Sequence, residues 1–491
     1  MSNDTTPSLM PACVEPVVDV LKNINPMKIL FSLRNDSAQL DTNIDNNAQV
    51  QTSKILNLAN KKLTDQNLRQ IAYSLKSNTT LITLNLAGNN FGITGIRYLL
   101  IALQSNITLT TLDLQNNKIG DEGIQCLAKF LYDNTTLTTL NLGGNDIGDK
   151  GAYHLAIAIQ HNITLKILNL QNNNIKDEGA ESLAYALENN SILNTLSLGR
   201  NQINIDGIQQ WANTIQNNTV QEIFHSFICL SSLFSSIQTL IAFDIEGNGI
   251  SDDGVQYLAY ALESNIGLTT LNLGRNQVSA EGIQFLANAL ETNKTLTSLN
   301  LGGNELGSNG IEILATALQY NNTLSTLYLG WNSVGIDGAR YLANLLNHNT
   351  KLAKLDLQSN EIYDDGIQYL ADALQNNVTL TTLNLARNNI GDKGAYNLAN
   401  ALKHNNTLTH LHLALNLIAD EGAQALATLL ETNRTLTVID LAFNQISIYG
   451  INHLASASQK NSTVTTLDLR YNQTDANNRA ILNDTANVLM L

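Results

Sequence analysis

The sequence predicts an α/β fold made by stacking one strand–helix repeat many times, and three observations lead to this prediction. The pattern Leu-x-Leu recurs every 28 residues along most of the 491-residue chain. Within each repeat, an alternation typical of a short strand is followed by the three- and four-residue spacing of a helix face. All 4 prolines lie in the first 26 residues, so the rest of the chain suits one recurring hydrogen-bonded structure.

Fifteen repeats follow one another in residues 54–491, and we number positions in each from the first residue of Leu-x-Leu, which is position 0. These first residues are Leu56, Leu84, Leu112, Leu140, Leu168, Leu196, Phe243, Leu271, Leu299, Leu327, Leu355, Leu383, Leu411, Ile439 and Leu467. The step from Leu196 to Phe243 is 47 residues, which places an insertion within 220–242. Residues 1–53 are expected to form a leader or N-terminal cap.

The third repeat shows how each element is predicted. Leu112 and Leu114 alternate with polar residues and predict a strand. The apolar positions that follow are Ile124, Leu127, Ala128 and Leu131. Their spacing puts them on one helix face. One strand and one helix cannot bury such faces alone, so neighbouring repeats have to stack.

Two polar positions recur with the same regularity. Position 5 is asparagine in nearly every repeat, as at Asn117, and is expected to bind backbone groups that turn inward after the strand. Acidic residues such as Asp121 and Glu122 precede the helix face, where carboxylates cap free N–H groups. Both rows are interpreted as structural rather than as catalytic or calcium-binding groups.

The consensus LxxLxLxxNxIxDxGxxxLAxALxxN resembles the leucine-rich repeat of the ribonuclease-inhibitor class, and residues 109–119 carry its signature. The uniform 28-residue repeat is similar to the repeats of NOD-like receptors and of Ran GTPase-activating protein. The resemblance implies a right-handed solenoid bent into a horseshoe, with parallel strands on the concave face and helices on the convex face. It leaves the function open, because such repeats bind many unrelated proteins.

Composition and motifs narrow the function classes. A net charge of −15 disfavours nucleic acid and anionic membranes as partners. The 3 cysteines are widely spaced, and no basic segment leads into an apolar run at the N-terminus, so a cytoplasmic location is expected. No Walker, HExxH or GxSxG motif is present, so the sequence predicts a non-enzyme with no cofactor and no evident small-molecule substrate.

The insertion has three interpretations. It is uncharged from residue 225 to residue 242 and rich in phenylalanine, and Trp211 replaces a leucine in the helix before it. The favoured interpretation is an extra helix or loop packed on neighbouring repeats. The alternatives are a docking patch for a partner and a membrane span, which the serines in this segment disfavour.

Candidate binding residues lie at positions −1, 1, 3 and 4, which point away from the core. These rows become aromatic and charged from the tenth repeat onward. The candidates are Tyr328, Trp331, Lys354, Arg387, His410, His412, Leu415, Asp440, Phe443, Arg470 and Tyr471. Exposed aromatic residues with arginine are typical of binding hot spots, although drift and packing near the last repeat explain the same pattern without a partner.

His410 and His412 raise the question of zinc, because both rings emerge on one side of a strand, with Asp440 on the next. No third strong ligand can be assigned at the right place, so no metal site is predicted.

The leading functional prediction is a protein-interaction module that binds a protein partner on the concave face, mainly in its C-terminal half. It would act in its own cytosol or, as a secreted bacterial effector, in that of a host. One alternative is a GTPase activator, by similarity to the Ran activator, with Arg200, Arg275 and Arg387 at position 4 as unassigned candidates. The other is a sensor or inhibitor fragment.

Overall fold

A computed structural model describes residues 53–203 apart from 77 and 189, residues 240–473, and residues 489–490. These residues form two compact units that divide after Ile203. Residues 1–52, Trp211 and residues 220–239 lie outside the described residues, so the predicted leader and most of the predicted insertion do as well. No helix in the described ranges is both long and apolar enough to cross a membrane.

The N-terminal unit alternates short strands with helices. Its strands are β1 (Ile55–Asn57), β2 (Thr83–Asn85), β3 (Thr111–Asp113), β4 (Thr139–Asn141), β5 (Ile167–Asn169) and β6 (Thr195–Ser197). Its helices are α1 (Asp65–Leu75), α2 (Ile93–Leu103), α3 (Gly120–Asp133), α4 (Asp149–His161) and α5 (Asp177–Glu188). Each strand pairs in parallel with the next one at the same repeat position, so Leu84 lies beside Leu112.

The C-terminal unit continues the same alternation. Its strands are β7 (Ala242–Asp244), β8 (Thr270–Asn272), β9 (Ser298–Asn300), β10 (Thr326–Tyr328), β11 (Lys354–Asp356), β12 (Thr382–Asn384), β13 (His410–His412), β14 (Val438–Asp440), β15 (Thr466–Asp468) and β16 (Leu489–Met490). Its helices are α6 (Asp252–Ser264), α7 (Ala280–Thr292), α8 (Gly307–Leu318), α9 (Gly335–His348), α10 (Tyr363–Leu374), α11 (Asp392–Leu402), α12 (Asp420–Thr432) and α13 (Ile448–Lys460). Strand β16 pairs in parallel with β15 and extends the sheet beyond the first strand of the fifteenth repeat.

The core of each unit lies between its strands and its helices. The leucines at positions 0 and 2, such as Leu112 and Leu114, have no exposed surface. Apolar helix residues such as Ile124 and Leu127 complete the layer from the other side. The predicted α/β solenoid of parallel strands and packed helices is confirmed.

The asparagine at position 5 is the main polar connection between repeats. Asn173 is buried, and its Oδ1 accepts hydrogen bonds from the N–H groups of Asn145 at 2.8 Å and Ile147 at 3.1 Å in the preceding repeat. Its Nδ2 donates to the carbonyl oxygens of Leu142 at 3.1 Å and Leu170 at 2.9 Å. One side-chain amide therefore binds backbone groups of two repeats and joins them, as the sequence predicted.

A second row of buried asparagines occupies position 22, in the turn between helix and strand. Asn162 Nδ2 donates to the carbonyl oxygens of Leu131 at 2.6 Å and Asn134 at 3.0 Å in the preceding repeat. Its Oδ1 accepts from the N–H groups of Thr164 and Leu165. The stack is therefore joined by buried amides at both ends of its strands.

The acidic residues at position 9 cap helices as expected, but each one that is followed by a described helix caps the helix of the next repeat rather than its own. Asp364 Oδ1 accepts hydrogen bonds from Gly391 N at 2.7 Å and Gly394 N at 3.0 Å, at the start of α11. Asp420 does the same for Ser447 and Gly450 at the start of α13. Burial raises the pKa of Asp420, but the hydrogen bonds from Ser447 and Gly450 outweigh burial and hold this pKa below its usual range.

In four of the repeats whose position 9 is not acidic, the next helix begins in another way. The residues at this position in repeats 2, 8, 9 and 10 are Ile93, Ala280, Ser308 and Ile336. The helices that follow start at position 8 with a left-handed residue, at Gly120 (φ 62°), Gly307 (φ 57°), Gly335 (φ 64°) and Tyr363 (φ 55°). The N–H of this residue donates to the position-5 asparagine of the next repeat, as Gly335 does to the Asn360 carbonyl at 2.9 Å. An acidic residue at position 9 therefore correlates with a next helix that it caps, and in these four repeats a non-acidic residue correlates with a next helix that starts at a left-handed residue.

Two regions need separate description, namely the first repeat and the residues just before β7. Leu56 in the first repeat is only half-buried, and Asn67 caps α1 by accepting a hydrogen bond from the Thr64 N–H at 2.9 Å. At the other region, Leu240 is buried and β7 begins at Ala242. Residues 240–242 thus occupy ordinary repeat positions at the end of the range within which the insertion was predicted.

We predict that Asn173→Ala lowers the free energy of unfolding by about 2 to 4 kcal/mol, because two buried N–H groups lose their acceptor. The control is Asn174→Ala at the neighbouring exposed asparagine, where the change should stay within about 0.5 kcal/mol. Denaturant unfolding of the full chain measures both. Equal effects of the two variants would contradict a structural role for the position-5 amide.

Candidate functional site

The site is built on the outward rows of the strand segments, which we call the strand face. Leucines at positions 0 and 2 point into the core, so side chains at positions −1, 1, 3 and 4 point away from it. Most of these residues are exposed or half-buried, whereas Asp468 and small residues such as Ala386 and Ala442 are buried. All eleven residues predicted from the sequence lie in these rows of the C-terminal unit and are exposed or half-buried. They are Tyr328, Trp331, Lys354, Arg387, His410, His412, Leu415, Asp440, Phe443, Arg470 and Tyr471.

Position 4 has a backbone constraint that the sequence did not reveal. Its residue adopts the left-handed conformation in every one of the fifteen repeats, with φ between 52° and 73°. Glycine and asparagine tolerate this conformation, and the first five repeats use only them, at Asn60, Gly88, Asn116, Gly144 and Asn172. Repeats 10–15 instead place there Trp331, Ser359, Arg387, Leu415, Phe443 and Tyr471.

We call these six residues the position-4 ridge. A side chain other than glycine in the left-handed conformation costs about 1 kcal/mol, and bulky residues adopt it rarely. Three of the four large apolar residues of the ridge are roughly half exposed, with Trp331 at 53%, Leu415 at 44% and Phe443 at 47%. Their burial therefore stabilises the fold little, and their strained backbone is typical of residues kept for function.

Two contacts order the ridge. The guanidinium of Arg387 lies over the ring of Trp331, with 5.1 Å between the Arg387 Cζ and the ring centroid. Ser359 is the small residue of the repeat between them. At the other end, the rings of Phe443 and Tyr471 stack at 4.2 Å with 16° between their planes. The ridge therefore has a cationic end at Trp331 and Arg387 and an aromatic end at Phe443 and Tyr471.

A polar row flanks the ridge at position 1. Asp468 accepts hydrogen bonds from Arg470 Nη2 at 2.6 Å and Arg470 Nε at 2.9 Å. Burial raises the pKa of Asp468, but the hydrogen bonds and positive charge of Arg470 outweigh burial and hold this pKa below its usual range. Asp440 Oδ2 lies 3.7 Å from His412 Nδ1 on the neighbouring strand.

His410 lies at position −1 on the same strand as His412. Thr409 Oγ1 donates to the Thr381 carbonyl at 2.9 Å and therefore accepts from His410 Nδ1 at 2.8 Å. This network assigns the proton of the neutral His410 ring to Nδ1 and leaves Nε2 as an acceptor. Within the described residues, no three His, Cys, Asp or Glu side chains converge as metal ligands would.

Sequence reasoning missed two residues beside the ridge. Leu417 at position 6 is 46% exposed, and it is the one aliphatic side chain in a row that otherwise holds polar residues or glycine. Tyr363 takes the left-handed conformation at a helix start where the three equivalent positions have glycine. The signal for both lies in the sequence at one repeat position across all repeats, since leucine is unusual at position 6 and tyrosine is unusual at position 8.

The three arginines proposed at position 4 do not share one environment. Arg275 Nε pairs with Glu246 Oε1 at 3.3 Å, whereas Arg387 lies on Trp331. Their common position in the repeat therefore reflects the backbone and not a common ligand.

Comparison with protein families gives two matches. The model described as the MHP1/HER1/GIP3 LRR domain matches residues 149–416. The model described as Leucine Rich repeat matches residues 77–100, 105–128, 133–156, 432–447 and 460–473. A search of curated protein sequences finds no match.

Solved structures with a similar fold include an internalin of Listeria monocytogenes str. 4b F2365, which is 22% identical with a TM-score of 0.44. That alignment covers 85% of this chain and 94% of the internalin. A leucine-rich-repeat protein of Leptospira interrogans is 18% identical with a TM-score of 0.41, over 91% of this chain and 99% of that one. The complex of TLR13 with ssRNA13 gives 21% identity and a TM-score of 0.48, over 85% of this chain and 53% of TLR13.

We predict that Leu415→Gly raises the free energy of unfolding, by up to about 1 kcal/mol, because glycine relieves the left-handed strain of a half-exposed leucine. The matched control is Leu417→Gly, a leucine of similar exposure in the same loop without a left-handed backbone. There glycine should lower the free energy of unfolding by about 0.5 to 1 kcal/mol. Denaturant unfolding compares the two, and a loss of stability in both would show that Leu415 is kept for the fold.

Proposed function

The chain belongs to the leucine-rich-repeat family described as the MHP1/HER1/GIP3 LRR domain, and from this premise we propose that it binds a protein partner with the strand face of repeats 10–15. The leucine-rich-repeat fold is commonly used for protein–protein interaction. The observation that carries the proposal is the position-4 ridge, where large exposed side chains occupy a left-handed backbone in five of six consecutive repeats.

Three further features support this surface as the binding site. Aromatic residues and arginine are the residue types enriched in binding hot spots. The contacts of Trp331 with Arg387 and of Phe443 with Tyr471 hold these side chains in place before a partner arrives, which lowers the entropy lost on binding. Leu417 adds an exposed apolar side chain beside Leu415.

The compartment that we propose is the one expected from the sequence. We propose that the binding takes place in a cytosol, either that of the cell that makes the protein or that of a host into which it is delivered as an effector. Imaging of the tagged full chain in both settings distinguishes the two.

The test uses a ridge variant, Trp331→Asn with Phe443→Asn, because asparagine keeps the left-handed backbone. The control variant, Asn116→Ala with Asn172→Ala, changes the same repeat position outside the ridge. We expect affinity capture by the full chain to recover a partner that the control variant retains. The ridge variant should bind this partner at least tenfold less tightly, without a fall in its denaturation midpoint.

Retention of every captured protein by the ridge variant would overturn the proposal. The same experiment also tests the alternative function, which is activation of a GTPase. If the captured partner is a GTPase whose GTP turnover rises with the wild-type chain and no longer rises with Arg387→Ala, activation replaces simple binding as the function.

A further inference from the structure

We infer that the partner presents an acidic side chain to Arg387 and, three or four residues away in an extended peptide segment, an apolar side chain to Phe443 and Tyr471. This inference rests on the proposed function and specifies the chemistry that the ridge recognises.

Charge pairing within the strand face identifies the first contact. In the outward rows of repeats 10–15 the cations are Lys354, Arg387 and Arg470, and the carboxylates are Asp356, Asp440 and Asp468. Every carboxylate already has a partner in the fold. Asp356 accepts from Asn384 Nδ2 at 3.0 Å, Asp440 lies beside His412, and Asp468 binds Arg470.

Lys354 and Arg387, by contrast, have no ion pair or side-chain hydrogen bond among the residues that the structure describes. Glu361, a carboxylate without an ion pair among the described residues, lies at position 6 on the loop edge. The charges that the strand face leaves for a partner are therefore positive, even though the whole chain carries −15.

The geometry favours Arg387 over Lys354 as the anchor. The cation–π contact with Trp331 restrains the Arg387 guanidinium, whose Cζ lies 5.1 Å from the ring centroid, and the Arg387 side chain is exposed to solvent. A planar guanidinium matches a carboxylate with two parallel hydrogen bonds, which a flexible ammonium cannot do. The outward rows hold equal numbers of cations and carboxylates, so a carboxylate fits this surface better than a phosphate with its greater charge.

The second contact follows from the spacing of the repeats. Neighbouring parallel strands lie about 4.8 Å apart, so Phe443 and Tyr471 lie about 10 and 14 Å along the ridge from Arg387. An extended peptide covers this distance in three or four residues. Leu415 lies between the two contacts and offers an apolar surface to the residues that join them.

The probe is a random peptide library displayed on phage and selected on the immobilised full chain. We expect enriched peptides to carry Asp or Glu three or four positions from an aromatic or large aliphatic residue. A synthetic peptide of the enriched sequence should bind Arg387→Gln at least tenfold less tightly than wild type. Lys354→Gln removes the same charge from the other unpaired cation, and we expect less than a threefold loss.

The decisive comparison reverses the charge of residue 387 and the charge of the acidic residue in the peptide. Arg387→Glu should bind the enriched peptide once its acidic residue is replaced by lysine, and should not bind the original peptide. Two results would overturn the inference: equal losses of peptide affinity in Arg387→Gln and Lys354→Gln, or enriched peptides without an acidic residue. In either case a loss of binding in the ridge variant would still support the proposed function. Peptides that bind the ridge variant as tightly as wild type, or a library that yields no binder, would overturn both.

Discussion

The buried asparagine at position 5 is the interaction on which the rest of the structure depends. After each strand the backbone turns toward the core, where its N–H and carbonyl groups have no water to bind. Asn173 resolves this by binding two N–H groups of one repeat and two carbonyl oxygens across the junction. Because the side chain that satisfies one repeat belongs to the next, no repeat is complete alone, and the aspartates at position 9 extend the same dependence to the helices.

This constraint also explains where the surface can vary. The turn that brings position 5 inward holds position 4 in the left-handed conformation in every repeat, with its side chain directed outward. The fold therefore favours glycine or asparagine there and gains little from anything larger. The change from Asn116 and Asn172 to Trp331, Leu415 and Phe443 consequently points to a selective force other than stability, which is why we propose that the ridge binds a partner.

The spacing of the leucines was sufficient to predict the stacked strand–helix repeats, and the recurring polar positions predicted the bonds of Asn173 and the capping role of Asp364. The sequence did not show that Asp364 caps the next helix, because periodic residues alone do not say which copy they contact. The eleven site residues were predicted as exposed from alternation, but Leu417 was missed because its position belongs to a loop, and Tyr363 because it lies at a helix start. The contact of Arg387 with Trp331 was also missed, since it joins repeats 56 residues apart and depends on rotamers.

Hydrogen exchange of the loop after β4 tests the role of the position-5 amide most directly. The N–H groups of Asn145 and Ile147 bind Asn173 Oδ1, whereas the intervening N–H of Asp146 has no hydrogen bond among the described residues. The account predicts that Asn145 and Ile147 exchange as slowly as the strand residue Leu140, with Asp146 much faster between them. Rapid exchange at all three loop positions would contradict it.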